Sequence, residues 1–315
     1  MAERVLITGG AGFIGSAVAA RLAAIGKEVW VLDDLSFGVR ALAPVPDERF
    51  LQLDIRDRAA VREAVARIGP VQVLHLAAIH FIPYCNAHPV EAADININGT
   101  ISVLDACAVA SSVRQVFVAS TAAVYPIADG AMSEEHPIGP LDVYGTTKLA
   151  TERIASEFAL RTGIAALIGR FFNAFGPNET NPHLIPEIQR QVRGGARVLR
   201  LGNLEPRRDF IHTSDMASAM EALLGANLRG CQVFNIGRGI EYSVREVVQA
   251  FERQLGEPLR IEVEEKRVRK VERMHLLADV GKLKRATGWE PRWSIDKGVA
   301  TLLNEPLLAW KGEHA

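Results

Sequence analysis

Arg4-Val5-Leu6-Ile7-Thr8-Gly9-Gly10-Ala11-Gly12-Phe13-Ile14-Gly15 carries a strand, a glycine turn and a helix start in twelve consecutive residues. Residues 5–7 are a short apolar run suited to a strand buried in a parallel sheet. Gly9, Gly12 and Gly15 follow at the spacing Gly-x-x-Gly-x-x-Gly, and residues 16–25 read as a helix rich in alanine and leucine. Glycines here permit a tight turn and a close approach of backbone to a pyrophosphate. That anion would sit at the helix N-terminus, where free N–H groups and the helix dipole favour it. A glycine turn that binds nothing is the bland alternative, and the order strand, turn, helix speaks against it. The next strand-like run ends in Asp33-Asp34. A carboxylate at that strand end accepts hydrogen bonds from an adenosine ribose diol and repels a 2′-phosphate, which favours NAD over NADP. Arg40 is near enough in sequence to keep NADP open.

Further along the chain, apolar strand-like runs recur at 29–32, 50–53, 71–76, 115–119 and 165–169, with helical segments at 58–68, 97–110 and 144–161. This alternation predicts an α/β fold. The form expected is a Rossmann-type doubly wound parallel sheet with ligands at the carboxyl ends of its strands. Past residue 170 the rhythm breaks into proline-bearing loops, a helix around 184–193 and shorter segments. The expected division is therefore 1–170 for an NAD-binding domain and 171–315 for a smaller C-terminal substrate-binding lobe, with the chain crossing between them.

A length of 315 residues suits one large or two intimate domains, and a formal net charge of −1 leaves no electrostatic footprint for nucleic acid. The densest basic stretch, Lys266-Arg267-Val268-Arg269-Lys270, follows Glu262, Glu264 and Glu265, so it is no simple polyanion patch. Cys85, Cys107 and Cys231 lack paired metal-ligand spacing, and no metal site is expected. No apolar run is long enough to span a bilayer and no signal peptide precedes the first strand, so a cytoplasmic protein without a membrane partner is expected.

Tyr144 and Lys148 stand four residues apart in Tyr144-Gly145-Thr146-Thr147-Lys148, on one face of a helix. A free tyrosine holds its proton to about pH 10, and a nearby cation is expected to draw that pKa down. Alone, the spacing is as often a solvated helix face. The strand at 115–119 runs into Ser120-Thr121, placing hydroxyls at a strand's carboxyl end. Thr121, Tyr144 and Lys148 together make a general-base set for removing an alcohol proton as a C–H hydride leaves, with Ser120 on the cofactor side. A plain Ser/Thr turn is the alternative.

These residues resemble the extended short-chain dehydrogenase/reductases, the NAD-dependent nucleotide-sugar epimerase/dehydratase family, over nearly the whole chain. Further marks are Asp54-Ile55, His75-Leu76-Ala77-Ala78, Asn98-Gly99-Thr100, Arg170-Phe171-Phe172-Asn173-Ala174-Phe175-Gly176-Pro177 and Arg208-Asp209-Phe210-Ile211-His212. The resemblance implies that Gly9, Gly12, Phe13, Ile14, Gly15, Asp33 and Phe171 surround NAD. It puts Asp54 and Ile55 about the adenine, Leu76, Ala77 and Ala78 along the cofactor, and Asn98 in support of the active site. Lys148 should bond the nicotinamide ribose as well as tune Tyr144. For the substrate it implies a bond from Asn173, a diphosphate fork from Arg208, a second from Arg269, and a ribose contact from Glu272. Arg269-Lys270-Val271-Glu272 departs from the family's usual Arg-Pro-Gly-Asp, and both arginines could instead form surface ion pairs. A homodimer through two helices per subunit is the family expectation. The apolar faces at 97–110 and 149–158 fit it, though a monomer would bury them too.

The reaction is narrowed by Ala122 and Ala123, which stand where dehydrating members carry an acidic residue. Alanine cannot protonate a leaving hydroxide. The chain is therefore most similar to the UDP-glucose 4-epimerases, acting on a UDP-hexose or UDP-hexuronate. Pro126 and His183 resemble the GDP-fucose synthase-type epimerase/reductases, which keeps a reductase or 3,5-epimerase reading open. Those enzymes need a cysteine where Ala123 stands. A non-enzymatic NAD-binding sensor is the alternative of another class, and it would need no base. His80 faces either the substrate or its own loop, and His75, at the end of an apolar strand, reads as structural.

Overall fold

Helices cover both faces of one sheet, which is why its central strands are largely apolar instead of alternating. The computed structural model describes residues 2–179, 181–265 and 273–304. Its strands are β1 (Arg4–Thr8), β2 (Glu28–Asp33), β3 (Phe50–Gln52), β4 (Gln72–His75), β5 (Gln115–Thr121), β6 (Ala165–Phe171) and β7 (Cys231–Ile236). They lie parallel in the order β7-β6-β5-β4-β1-β2-β3. The order reverses between β1 and β4, and there the crevice for a ligand opens.

One face is covered by α1 (Phe13–Ala24), the other by α2 (Arg58–Ile68), α3 (Gly99–Val109) and α4 (Val143–Thr162). Local chemistry sets the helix ends. Asp57 accepts Ala60 N–H to start α2, and Gly69 ends it at φ 59°. Asp142 accepts Gly145 N–H at 2.7 Å to start α4, and Gly163 ends it at φ 73°. The cap on α4 matters most, because Tyr144 and Lys148 sit in its first turns.

Beyond β6 the chain builds a second layer and then returns. Strands Asn173–Phe175, Arg207–His212 and Glu241–Ser243 form a three-stranded sheet. Helices Leu184–Arg193, Val244–Leu255 and Ile295–Asn304 enclose a separate core around Phe175, Ile188, Val247 and Phe251. Between these, α5 (Thr213–Gly225) packs on α1 and β7 joins the main sheet beside β6. Residues 213–236 thus rejoin the first layer. Asp209, fully buried, ties the layers by accepting the N–H groups of Arg238, Gly239 and Ala278. Among the described residues no helix is long and apolar enough to cross a membrane.

Candidate active site

A cleft of about 610 Å³ runs over the carboxyl ends of the strands, from the glycine turn to the second layer. At its first end, Gly15 packs so close to the turn that a Cβ there would lie 2.0 Å from Gly9 O. The start of α1 has no side-chain cap and no acidic residue in its first turn, which leaves its N–H groups for an anion. Asp33, at the end of β2, receives Ala11 N–H and Leu35 N–H, each at 2.9 Å, and lines the cleft. Arg40, open as a phosphate ligand from sequence, is engaged elsewhere. It donates to Ala43 O and Val45 O, pairs with Asp47 and lies over the Phe50 ring. Carboxylate without guanidinium fits a free ribose diol, hence NAD. Gly9, Gly12, Phe13, Ile14, Asp54, Ile55, Leu76, Ala77, Ala78 and Phe171 line the same cleft. Asp54 is also paired with Arg56, whose hydrogen bond lowers the Asp54 pKa.

The floor of the cleft is Thr121, Tyr144 and Lys148. Gly145 lets this arrangement form, since a Cβ on it would meet Ala123 O at 2.6 Å. Helix α4 can therefore press against the loop that follows Thr121. Burial raises the Tyr144 pKa, and a hydrogen bond from Thr121 opposes that. Lys148, 2% exposed, is itself pushed down to about 8 by burial, with Glu152 and Cys85 opposing. The expectation that Lys148 draws the tyrosine down is corrected: desolvation governs both groups, and the Thr121 hydrogen bond is what lowers the tyrosine pKa. Ser120 lines the cleft too, but its hydroxyl donates to Glu152 at 2.5 Å, inside a buried pair that Glu152 makes with Arg170.

The asparagine that supports this floor is Asn96, not Asn98. Asn96 is fully buried; its Oδ1 accepts Ile79 N–H, and its Nδ2 donates to Ile79 O and Thr147 Oγ1. It thus links the loop after β4 to the first turn of α4. Asn98 is exposed and donates to Asp94, away from the cleft. Two residues along a helical turn reverse the face, so only one of the pair can point inward. His75 is structural, as the sequence suggested. Thr100 donates to Asn96 O, so it accepts from His75 Nε2–H, which leaves Nδ1 to accept from Thr8.

Toward the second layer the cleft is lined by His80, Asn173, Glu179, His183 and Arg208. Asn173 Oδ1 is buried without a protein partner, as a ligand-binding amide would be. Glu179 was not anticipated: no strand or helix period marks it, and it matters only because the loop after Gly176 folds back over the cleft. Arg269 and Glu272 lie outside the described residues.

The chain is 33% identical over 305 residues to a UDP-glucose 4-epimerase of Corynebacterium glutamicum, with 91% of each covered. It is similar in structure to the UDP-glucose 4-epimerase of Thermus thermophilus in complex with NAD, at a TM-score of 0.86 and 29% identity, covering 96% of this chain and 98% of that one. It is also similar to MoeE5 in complex with UDP-glucuronic acid and NAD, at a TM-score of 0.84 and 31% identity, covering 99% and 100%. The family model described as NAD dependent epimerase/dehydratase matches residues 5–237. That span holds every cleft group from Gly9 to Arg208, and by it the chain belongs to the NAD-dependent epimerase/dehydratase family.

Proposed function

We propose that this protein is an NAD-dependent nucleotide-sugar 4-epimerase acting on a UDP-hexose or UDP-hexuronate. The observation that carries the reading is the convergence of Thr121, Tyr144 and Lys148 in one cleft, with alanines at 122 and 123. Bound NAD supplies the hydride acceptor and, oxidised, a positive charge that favours the Tyr144 phenolate. Tyr144 Oη takes the proton of the sugar's C4 hydroxyl, and Thr121 holds that oxygen in line. Lys148 has no hydrogen-bond acceptor among the described residues, which leaves its ammonium for a ribose diol. Arg208 keeps the diphosphate while the keto sugar turns, and as C4 regains the same hydride on its other face Tyr144 returns the proton to the C4 oxygen. Nothing at 122 or 123 can protonate a leaving hydroxide, so the keto sugar is not dehydrated.

The same reading includes a cytoplasmic homodimer serving carbohydrate metabolism. In support of the dimer, α3 and α4 leave Ile101 and Leu160 39% and 89% exposed, and a groove beside Ile101, Leu104, Ile154 and Phe158 lies between them. Purified protein is expected to interconvert UDP-glucose and UDP-galactose, or the corresponding uronates, without net NADH. Stoichiometric NAD(P)H consumption with a 4-keto sugar nucleotide would instead select the reductase reading.

A further inference from the structure

At the sugar end of the cleft a chain of hydrogen bonds joins the loop after β4 to the loop before helix Leu184–Arg193. The Glu179 side chain, 5% exposed, accepts Asn181 N–H at 3.0 Å and Asn181 Nδ2 at 3.3 Å on Oε1, and its Oε2 lies 3.6 Å from His183 Nδ1. The same Nδ2 is 2.8 Å from His80 Nε2. Asn181 is 3% exposed, and its orientation follows from its neighbours. Reversed, its Oδ1 would face a Glu179 oxygen with no proton between them. Nδ2 therefore donates in both directions, and His80 Nε2 is an acceptor. The His80 proton sits on Nδ1, and a second proton on Nε2 would point at the amide N–H, so the ring stays neutral.

Glu179 is thereby held as an acceptor beside a neutral His80. Burial would raise the Glu179 pKa, but hydrogen bonds from His183 and from Asn181 N–H bring it below the usual value. Burial also lowers the His80 pKa, and the His183 and Lys148 charges add to that against Glu179. Among the described lining residues the arginine and lysine side chains are Arg208 and Lys148, and neither belongs to this cluster. His80 follows Ile79, which Asn96 ties to Thr147 on the helix that carries Tyr144 and Lys148, so the cluster lies at that end of the cleft and away from the glycine turn.

We propose that Glu179, held by Asn181 and His183, acts with His80 to select a neutral sugar: a hexose with a C5 hydroxymethyl group is accepted and its 6-carboxylate analogue is disfavoured. His80 Nδ1–H serves as a neutral donor to a sugar oxygen, and Glu179 opposes a second carboxylate beside it. This rests on the UDP-sugar epimerase reading and chooses between the two substrate classes that reading leaves open.

The test is a comparison of UDP-glucose and UDP-glucuronate as substrates of the NAD-loaded protein. The ratio of kcat/KM is expected to favour UDP-glucose by at least about tenfold, the order one uncompensated like charge commands. Glu179→Gln should narrow that ratio at least about fivefold, mainly through KM for UDP-glucuronate, and His183→Gln should not narrow it. Equal use of both sugars by the wild-type protein, or a preference for the uronate, overturns the selection and leaves 4-epimerisation standing. An unchanged ratio in a Glu179→Gln protein that still binds UDP overturns the role of Glu179. Turnover of no UDP-sugar at all strikes the epimerase reading itself.

Discussion

In the proposed mechanism the chemistry turns on Tyr144, whose pKa burial raises and the Thr121 hydrogen bond lowers. Tyr144→Phe should lower kcat by about 10²–10⁴-fold and leave NAD and UDP affinity nearly unchanged. An intact kcat would remove the phenol from the mechanism. Asn96→Ala, which strands the buried Ile79 and Thr147 groups, should cost about 1–3 kcal/mol in denaturant unfolding, whereas Asn98→Ala should stay within about 0.5 kcal/mol. These two lie two residues apart in the same motif, and the sequence reading chose Asn98. The phase of the turn decides, and that phase was not legible because a short turn carries too few apolar positions to fix it. His75 gives a pH signature. Its pKa is about 3 when folded, lowered by burial and the Lys148 charge, against 6.5 ordinarily, so its contribution to stability is complete above 6.5 and is lost as pH falls toward 3. Comparing wild type with His75→Gln between pH 6 and 4 should show an extra slope of about 1.4 kcal/mol per pH unit in the wild type. Parallel curves would mean that the ring is charged when folded.

At the level of elements, the turn between β1 and α1 joins fold to function. Gly15→Ala places a Cβ against Gly9 O, so the turn must open. The expected result is loss of NAD binding together with a fall of several °C in Tm; unchanged NAD affinity would show that the turn does not hold the cofactor. This turn was legible because its signals are local: an apolar run, glycines at fixed spacing, an alanine-rich helix. The first six strands and α2 were readable for the same reason. Strand β7 was not. Its sequence, Cys-Gln-Val-Phe-Asn-Ile, mixes polar and apolar residues, since it lies at the sheet edge and its first half is only partly buried. Helix α5 is predominantly apolar but precedes β7 in that unread stretch. Its place against α1 is a tertiary fact that periodicity does not carry.

For the whole molecule, the return of residues 213–236 to the sheet means that the two layers share one chain path, and the cleft between them is bordered by both. Asn173 and Arg208, the residues proposed to hold the substrate, are thereby set in one cleft with Tyr144 and Lys148 on α4. The exposed Ile101 and Leu160 on the outer face lead to an expected dimer in light scattering, with Leu160→Glu shifting the mass to that of a monomer. A monomeric wild type would contradict the assembly and leave the chemistry untouched. The measurement that reaches the reaction most directly is a proton NMR time course with NAD and either UDP-glucose or UDP-galactose. Both starting points should converge on one mixture of the two C4 epimers, with no keto or deoxy signal. A keto or deoxy product from either sugar would contradict 4-epimerisation and return the alanines at 122 and 123 to question.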